Sequence, residues 1–212
     1  MTKVFLVRHG QSEANLKGIF AGRTDLELSD LGRKQAEAVG KYLCDKDIDI
    51  IYSSPLKRAM STAKPLSDLI SKPVIPCDGI IEIDAGEWEA KEFSELSEKF
   101  PETYGLWLSD IGNSVCDGGE SMVEVQQRMI KTISGLCEKE DGKTIALFAH
   151  AGCFRAFLCH CLNMTKEQMK DLSWVSNASV TTLEYENGKF KVVDLDYADH
   201  LDGMVSNLPK NV

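Results

Sequence analysis

Residues 144–149, TIALFA, form the run that most restricts the fold, because every residue after the threonine is apolar. Successive side chains of a β-strand point to opposite faces of the sheet, so a strand of this kind must be covered on both faces. Lys3–Val7 and Ile48–Tyr52 are similar short runs, and segments of helical periodicity lie between the three. The alternation predicts a three-layer α/β/α sandwich with a mainly parallel sheet.

Residues typical of helix starts mark two of the intervening helices. Ser54 is a candidate N-cap with Pro55 in the first turn, which predicts a helix through about Ile70. Ser121 and Glu124 have the spacing of a capping box and precede a second helical pattern.

The length of the chain fits one domain of residues 1–212, within which about 85–119 is an irregular, partly helical insertion. Gly79–Ile83 is predicted to be a further short strand before that insertion. Ser179–Glu186 and Lys189–Asp196 flank Asn187-Gly188, a sequence typical of a tight hairpin turn, so the chain should end in a β-hairpin.

Composition excludes several classes of function. The net charge of −9 argues against nucleic acid or an anionic membrane as a partner, because both require a basic face. No apolar run approaches the roughly 20 residues of a membrane span, and the first residues lack the apolar core of a secretory signal. The seven cysteines are odd in number and form no CxxC, which favours reduced thiols, no metal site and a cytoplasmic location.

Cationic and imidazole side chains lie just after the carboxyl ends of the predicted strands. Arg8 and His9 follow the first strand, Arg58 lies in the helix after the second, and His150 follows TIALFA, while Glu82 lies at the end of the predicted third strand. Ligands of open α/β sheets bind at the carboxyl ends of the strands. Each residue alone is ordinary for a surface position, but together they predict an anion-binding site at this edge.

These residues lie in five segments whose order and spacing resemble those of the histidine phosphatase superfamily, the phosphoglycerate mutase-like proteins. The segments are LVRHGQSEAN, SSPLKRAMSTA, EIDAGEWEA, GGESMVEVQQRM and ALFAHAG. The resemblance covers almost the whole chain and implies the phosphoglycerate mutase-like fold. It also implies an enzyme that forms a phosphohistidine, without a cofactor or a metal.

The resemblance further implies a role for each matched residue. His9 would be the nucleophile, with Nδ1–H held by a backbone carbonyl and Nε2 free, and Arg8, Arg58 and His150 would bind the phosphoryl group with it. Glu82 would protonate the leaving oxygen and then activate water. Asp84 is the competing carboxylate, and the count to Gly86-Glu87-Trp88 favours Glu82.

Three further residues are candidates for substrate binding. Asn15 matches the neutral donor of the family's phosphate pocket. Gln11 could contact phosphate or only hold its own loop, and Arg23 could contact the rest of the substrate or be a solvated loop arginine.

The acid motif EIDAGEWEA is similar to that of the phosphatase branch, including the α-ribazole phosphatase-like proteins. We therefore expect a phosphomonoesterase acting on a small phosphorylated metabolite. A cofactor-dependent phosphoglycerate mutase is the alternative, and a non-catalytic phosphate-binding regulator is a third. Ala90 and Ala151 stand where the family often has glycine, and the Trp88–Trp107 region could be a lid or a satellite core. A homodimer is left open.

Overall fold

The computed structural model describes residues 1–206 and contains a six-stranded sheet with the order β3-β2-β4-β1-β5-β6. The strands are β1 (Thr2–Arg8), β2 (Ile50–Ser53), β3 (Val74–Pro76), β4 (Thr144–Ala149), β5 (Val180–Glu186) and β6 (Lys189–Tyr197). β3, β2, β4 and β1 are parallel, and β5 and β6 complete the sheet in antiparallel pairing. TIALFA is β4, which lies between two parallel neighbours as its apolar pattern predicts.

Helices cover both faces of this sheet. They are α1 (Glu13–Lys17), α2 (Asp30–Leu43), α3 (Lys57–Ile70), α4 (Phe93–Lys99), α5 (Pro101–Ser109), α6 (Met122–Lys139) and α7 (Ala151–Cys161). Val4 and Leu6 of β1 belong to the core beneath α6 and α7, whereas Phe5 and Val7 belong to the core beneath α2 and α3. The three-layer arrangement with a mainly parallel sheet is confirmed.

The predicted capping box and the predicted hairpin turn are both present in the structure. Ser121 and Glu124 form the reciprocal capping box at the start of α6. Asn187 and Gly188 both have positive φ, 51° and 76°, and join β5 to β6 in the terminal hairpin.

Two other predictions of elements were wrong. The third parallel strand is Val74–Pro76, and residues 79–83 instead pass through a short 3₁₀ turn without strand pairing. Arg128 of α6 donates from Nη1 to the Gly79 and Ile81 carbonyls at 3.1 and 2.7 Å, so a side chain satisfies groups that a neighbouring strand would otherwise bind. α3 begins at Lys57 rather than at Pro55, and its N-cap is Leu56, whose side chain forms no cap bond.

The region between residues 85 and 119 contains α4 and α5 and packs over one end of the sheet. Trp88 and Tyr104 are buried there with their rings edge-on at 5.6 Å, and they belong to the same hydrophobic core as Val4 and Leu6 rather than to a separate satellite core. Phe93 and Trp107, in contrast, line the pocket described below. Within residues 1–206, none of the helices has the length and hydropathy needed to cross a lipid bilayer.

Candidate active site

The two histidines that follow β1 and β4 lie side by side. Arg8, the last residue of β1, is paired in register with Ala149, the last residue of β4. The His9 amide donates to the Ala149 carbonyl at 3.0 Å, and the His9 and His150 ring centroids are 5.2 Å apart. The parallel register therefore brings the imidazoles together although 141 positions separate them in the sequence.

The His9 ring is held in one tautomer. Its Nδ1 lies 2.7 Å from the Gly10 carbonyl oxygen, and because a carbonyl only accepts hydrogen bonds, Nδ1 carries the proton. Nε2 consequently keeps its lone pair. Burial, together with the charges of Arg58 and Arg8, holds the His9 pKa well below 6.5. His9 is therefore a neutral imidazole with an unprotonated Nε2, which is the form that a nucleophile requires.

Arg8 and Arg58 are buried guanidinium groups that neutral carbonyls hold in place. Arg8 donates from Nη1 to the Val175 carbonyl at 2.6 Å, and its Nε has no partner among residues 1–206. Arg58 donates to the carbonyls of Thr24, Gly22 and Ala21 at 2.8, 2.7 and 3.0 Å.

Neither guanidinium forms an ion pair with a carboxylate within residues 1–206. Burial lowers the pKa of Arg8 to about 10 and also lowers that of Arg58. The charge of Glu82 offsets part of this burial, and the remaining cost of two buried cations favours the binding of an anion.

Glu82 lies at the N-terminus of α7. Its carboxylate accepts from the backbone N–H groups of Gly152 and Cys153 at 3.1 and 3.0 Å and from that of Ile83 at 2.9 Å. A Cβ at Gly152 would lie 2.8 Å from Glu82 Oε1, so glycine leaves the room that this contact needs. The Glu82 carboxylate therefore occupies two of the N–H groups at the start of α7.

His150 is fully buried, and one of its ring nitrogens has a partner. Nε2 lies 2.7 Å from the Ser54 hydroxyl oxygen, whereas Nδ1 has no partner in the part of the chain that the structure describes. The Ser54 oxygen also accepts from the Leu56 amide at 3.4 Å, so its proton is free to be donated to Nε2. Burial and the charge of Arg58 hold the His150 pKa well below 6.5. A hydroxyl that donates to Nε2 leaves the proton of the neutral His150 ring on Nδ1, although His150 is not one of the described residues that line the pocket.

The three residues predicted to bind substrate are outside the lining of the pocket. Gln11 accepts from the Ser29 hydroxyl at 2.8 Å, and Asn15 Oδ1 accepts from the Ser12 amide at 3.0 Å in the α1 capping box. Arg23 forms ion pairs with Asp84 and Glu120 at 2.9 and 3.2 Å. Their contact with substrate therefore stays a prediction. Asp84, the competing carboxylate, is occupied by Arg23.

Sequence reasoning missed several residues that complete the site. Thr62 accepts from the Gly10 amide at 3.0 Å, and Asn177 donates to the His9 carbonyl at 3.0 Å. Ser54 was interpreted only as a helix cap, and Phe20 and Trp174 line the pocket without belonging to any motif. The doubled serine before Pro55 was a usable signal for Ser54, and Thr62 lies in the matched segment SSPLKRAMSTA, but nothing local distinguishes the other three from core or loop residues.

The arrangement can bind an anion between two cations and present an unprotonated nitrogen to it. Arg8, His9, Arg58 and Glu82 all line the same pocket, so an electrophile held by the guanidinium groups would meet both His9 Nε2 and a carboxylate. Phosphoryl transfer needs this combination of charge stabilisation, nucleophile and proton carrier.

Comparison with known proteins gives the same picture. A family model described as the histidine phosphatase superfamily (branch 1) matches residues 4–197. Phosphoserine phosphatase 1 of Hydrogenobacter thermophilus is 32% identical over 201 residues, which cover 95% of each chain. A 2,3-bisphosphoglycerate-dependent phosphoglycerate mutase of Cytophaga hutchinsonii is 31% identical over 185 residues, covering 84% of this chain and 85% of the mutase.

Solved structures share the fold. A mutant phosphoserine phosphatase from Entamoeba histolytica in complex with phosphoserine has a TM-score of 0.85 at 30% identity, covering 95% of this chain and all of that one (100%). The α-ribazole phosphatase from Shigella flexneri has a TM-score of 0.82 at 24% identity, covering 92% and 96% of the two chains, which is a likeness of fold.

Proposed function

Because the chain belongs to the histidine phosphatase superfamily, we propose that it hydrolyses small phosphomonoesters through a phosphohistidine formed on His9. The observation that carries this proposal is the pair of buried guanidinium groups, Arg8 and Arg58, which have no carboxylate partner within residues 1–206 and flank a neutral imidazole. A phosphoryl group supplies the missing negative charge and the electrophile together. Phosphoserine and related phosphorylated metabolites are the first substrates to test, given the relatives.

In the first step, His9 Nε2 attacks phosphorus while the bond from phosphorus to the leaving oxygen breaks. Arg8, Arg58 and the Nδ1–H of His150 stabilise the charge on the phosphoryl oxygens, and the planar guanidinium groups suit this geometry. Glu82, a carboxylate in the free site, takes up one proton from solvent as the substrate binds and gives it to the leaving oxygen, so the alcohol departs neutral.

In the second step, water attacks the phosphohistidine. Glu82, now a carboxylate, takes a proton from the water, and the P–N bond breaks to release inorganic phosphate and restore His9. Dividing one displacement into two lets the same pocket serve both steps.

We also infer that residues 1–212 form one catalytic domain in which residues 85–119 cover the site, supported by Phe93 and Trp107 in the pocket lining. A cytoplasmic location is supported by the seven cysteines, all of which are free thiols. The homodimer that the sequence leaves open stays a prediction, which sedimentation equilibrium would test.

The proposal is tested by measuring phosphate release from a panel of phosphomonoesters that includes phosphoserine, with 3-phosphoglycerate isomerisation assayed in parallel. We expect hydrolysis, an acid-labile and base-stable phosphoenzyme, and loss of both in His9→Ala. His160→Ala is the matched control, because His160 is an exposed histidine on α7. Hydrolysis that survives in His9→Ala would contradict the mechanism. Isomerisation without hydrolysis of any ester would establish the mutase instead.

A further inference from the structure

The part of the pocket that would receive the leaving group is an aromatic wall. We define the aromatic wall as the five apolar residues Ile19, Phe20, Phe93, Trp107 and Trp174, which line the pocket beside the phosphate-binding groups. From this wall we propose that the enzyme prefers phosphomonoesters with an uncharged, ring-bearing leaving group over esters whose leaving group carries a carboxylate. The inference rests on the proposed function and specifies its substrate class.

Three distant segments build the aromatic wall. Phe20 comes from the loop after α1, Phe93 and Trp107 come from α4 and α5, and Trp174 precedes β5. The Phe20 ring meets the Trp107 ring edge-on at 5.1 Å and the Phe93 ring at 6.3 Å. The Trp107 and Trp174 rings stack at 6.1 Å with an interplanar angle of 27°. The wall is therefore a continuous aromatic surface, suited to edge and face contacts with another ring.

The aromatic wall is fixed before any substrate enters. Arg155 of α7 places its guanidinium carbon 4.3 Å from the Trp174 ring centroid and donates to the carbonyls of Met169 and Lys170 at 3.1 and 2.9 Å. Phe20 and Trp107 are themselves buried. A surface held in this way loses little conformational entropy when a ring binds to it.

The same region offers nothing to a leaving-group carboxylate. Arg8 and Arg58 are the only cationic residues in the lining of the pocket as described, and the phosphoryl group requires both. The neighbouring Arg23 is neutralised by Asp84 and Glu120, and Glu120 also binds Arg128 at 3.0 Å. A carboxylate placed against the aromatic wall would lose its water without gaining a cation. An uncharged ring would lose only water that contacts apolar surface.

The test compares four esters whose leaving groups are all aliphatic alcohols, so that intrinsic reactivity stays similar. They are 2-phenylethyl phosphate, glycerol 3-phosphate, 3-phosphoglycerate and O-phosphoserine. Glycerol 3-phosphate and 3-phosphoglycerate differ in the carboxylate, which separates the effect of charge from the effect of the ring. We expect kcat/KM to be highest for 2-phenylethyl phosphate and to be lower for 3-phosphoglycerate than for glycerol 3-phosphate.

A pair of variants locates the preference. Phe93→Ala should lower kcat/KM for 2-phenylethyl phosphate about tenfold, the effect of one lost aromatic pair, and should leave glycerol 3-phosphate within about threefold. Phe100→Ala is the matched control, because Phe100 ends the same helix but packs on Trp88 outside the pocket lining. It should change the ratio of the two esters less than about twofold.

Two results would overturn the inference, and they are distinguishable. A higher kcat/KM for 3-phosphoglycerate or phosphoserine than for 2-phenylethyl phosphate, with hydrolysis still dependent on His9, would refute the substrate class and leave the proposed function standing. No hydrolysis of any of the four esters would refute the proposed function, and the substrate class with it.

Discussion

Replacing Glu82 by glutamine separates its chemical role from its structural one. Oε1 of Glu82 accepts from the Ile83 and Cys153 amides at 2.9 and 3.0 Å, whereas within residues 1–206 Oε2 accepts only from the Gly152 amide at 3.1 Å. The glutamine oxygen can take the position of Oε1, and its NH₂ group then faces the Gly152 N–H. A buried N–H without an acceptor costs about 1–3 kcal/mol, so the free energy of unfolding should fall by about that amount.

The loss of activity should depend on the leaving group. General acid catalysis contributes about 10² to 10⁴ in rate, which corresponds to about 2.7–5.4 kcal/mol of barrier. For Glu82→Gln we therefore expect kcat/KM for 2-phenylethyl phosphate to fall by about 10² to 10⁴. 4-Nitrophenolate is a weak base that departs without a proton, so 4-nitrophenyl phosphate should lose about tenfold or less. Both assays are run well below the melting temperature of the variant.

Asp84→Asn is the matched control, because Asp84 is the other carboxylate of the same segment and pairs with Arg23 in an exposed position. An exposed ion pair contributes less than about 1 kcal/mol, so both esters should change by less than about fivefold. An equal loss for the two esters in Glu82→Gln would refute proton transfer by Glu82. A leaving-group-dependent loss in Asp84→Asn would assign that role to Asp84.

Three further predictions concern stability. Burial keeps His9 neutral in the folded state, so the unfolded state binds one more proton below pH 6.5 and the free energy of unfolding falls as the pH drops. In urea denaturation between pH 5 and 6, the dependence of that free energy on pH should be shallower in His9→Gln by about 1.4 kcal/mol per pH unit. An unchanged dependence would mean that folded His9 is charged. Ser54→Ala should cost about 1–3 kcal/mol and mix the two His150 tautomers in ¹⁵N NMR spectra, whereas a retained single tautomer would show that Ser54 does not select it. Ala90 has a φ of 61°, a left-handed conformation that is strained for alanine. Ala90→Gly should relieve about 1 kcal/mol of this strain and raise the melting temperature by about 2–4 °C. An unchanged or lower melting temperature would show that the backbone at Ala90 is not strained.

Periodicity and caps predicted most of the fold because their signals are local. The apolar pattern of TIALFA requires cover on both faces, and Ser121 with Glu124 satisfies the first amides of α6 from within four residues. The strand predicted for Gly79–Ile83 failed because Arg128, about fifty positions away, binds its carbonyls. Ser54 likewise has a partner that the local sequence does not show, since its hydroxyl contacts His150 and the N-cap of α3 is Leu56.

The sequence by itself determined the sandwich, the strand ends and the residue types that collect at them, because hydrophobic period and residue chemistry are properties of short segments. Only the tertiary structure decided which of the charged side chains at the strand ends are already bound by other groups of the protein. It engages Arg23 with two carboxylates and Glu82 with the amides of α7, but within residues 1–206 it leaves the guanidinium groups of Arg8 and Arg58 without an ion pair. The aromatic wall also depends on the tertiary structure, because rings from distant segments form one surface only when the chain has packed.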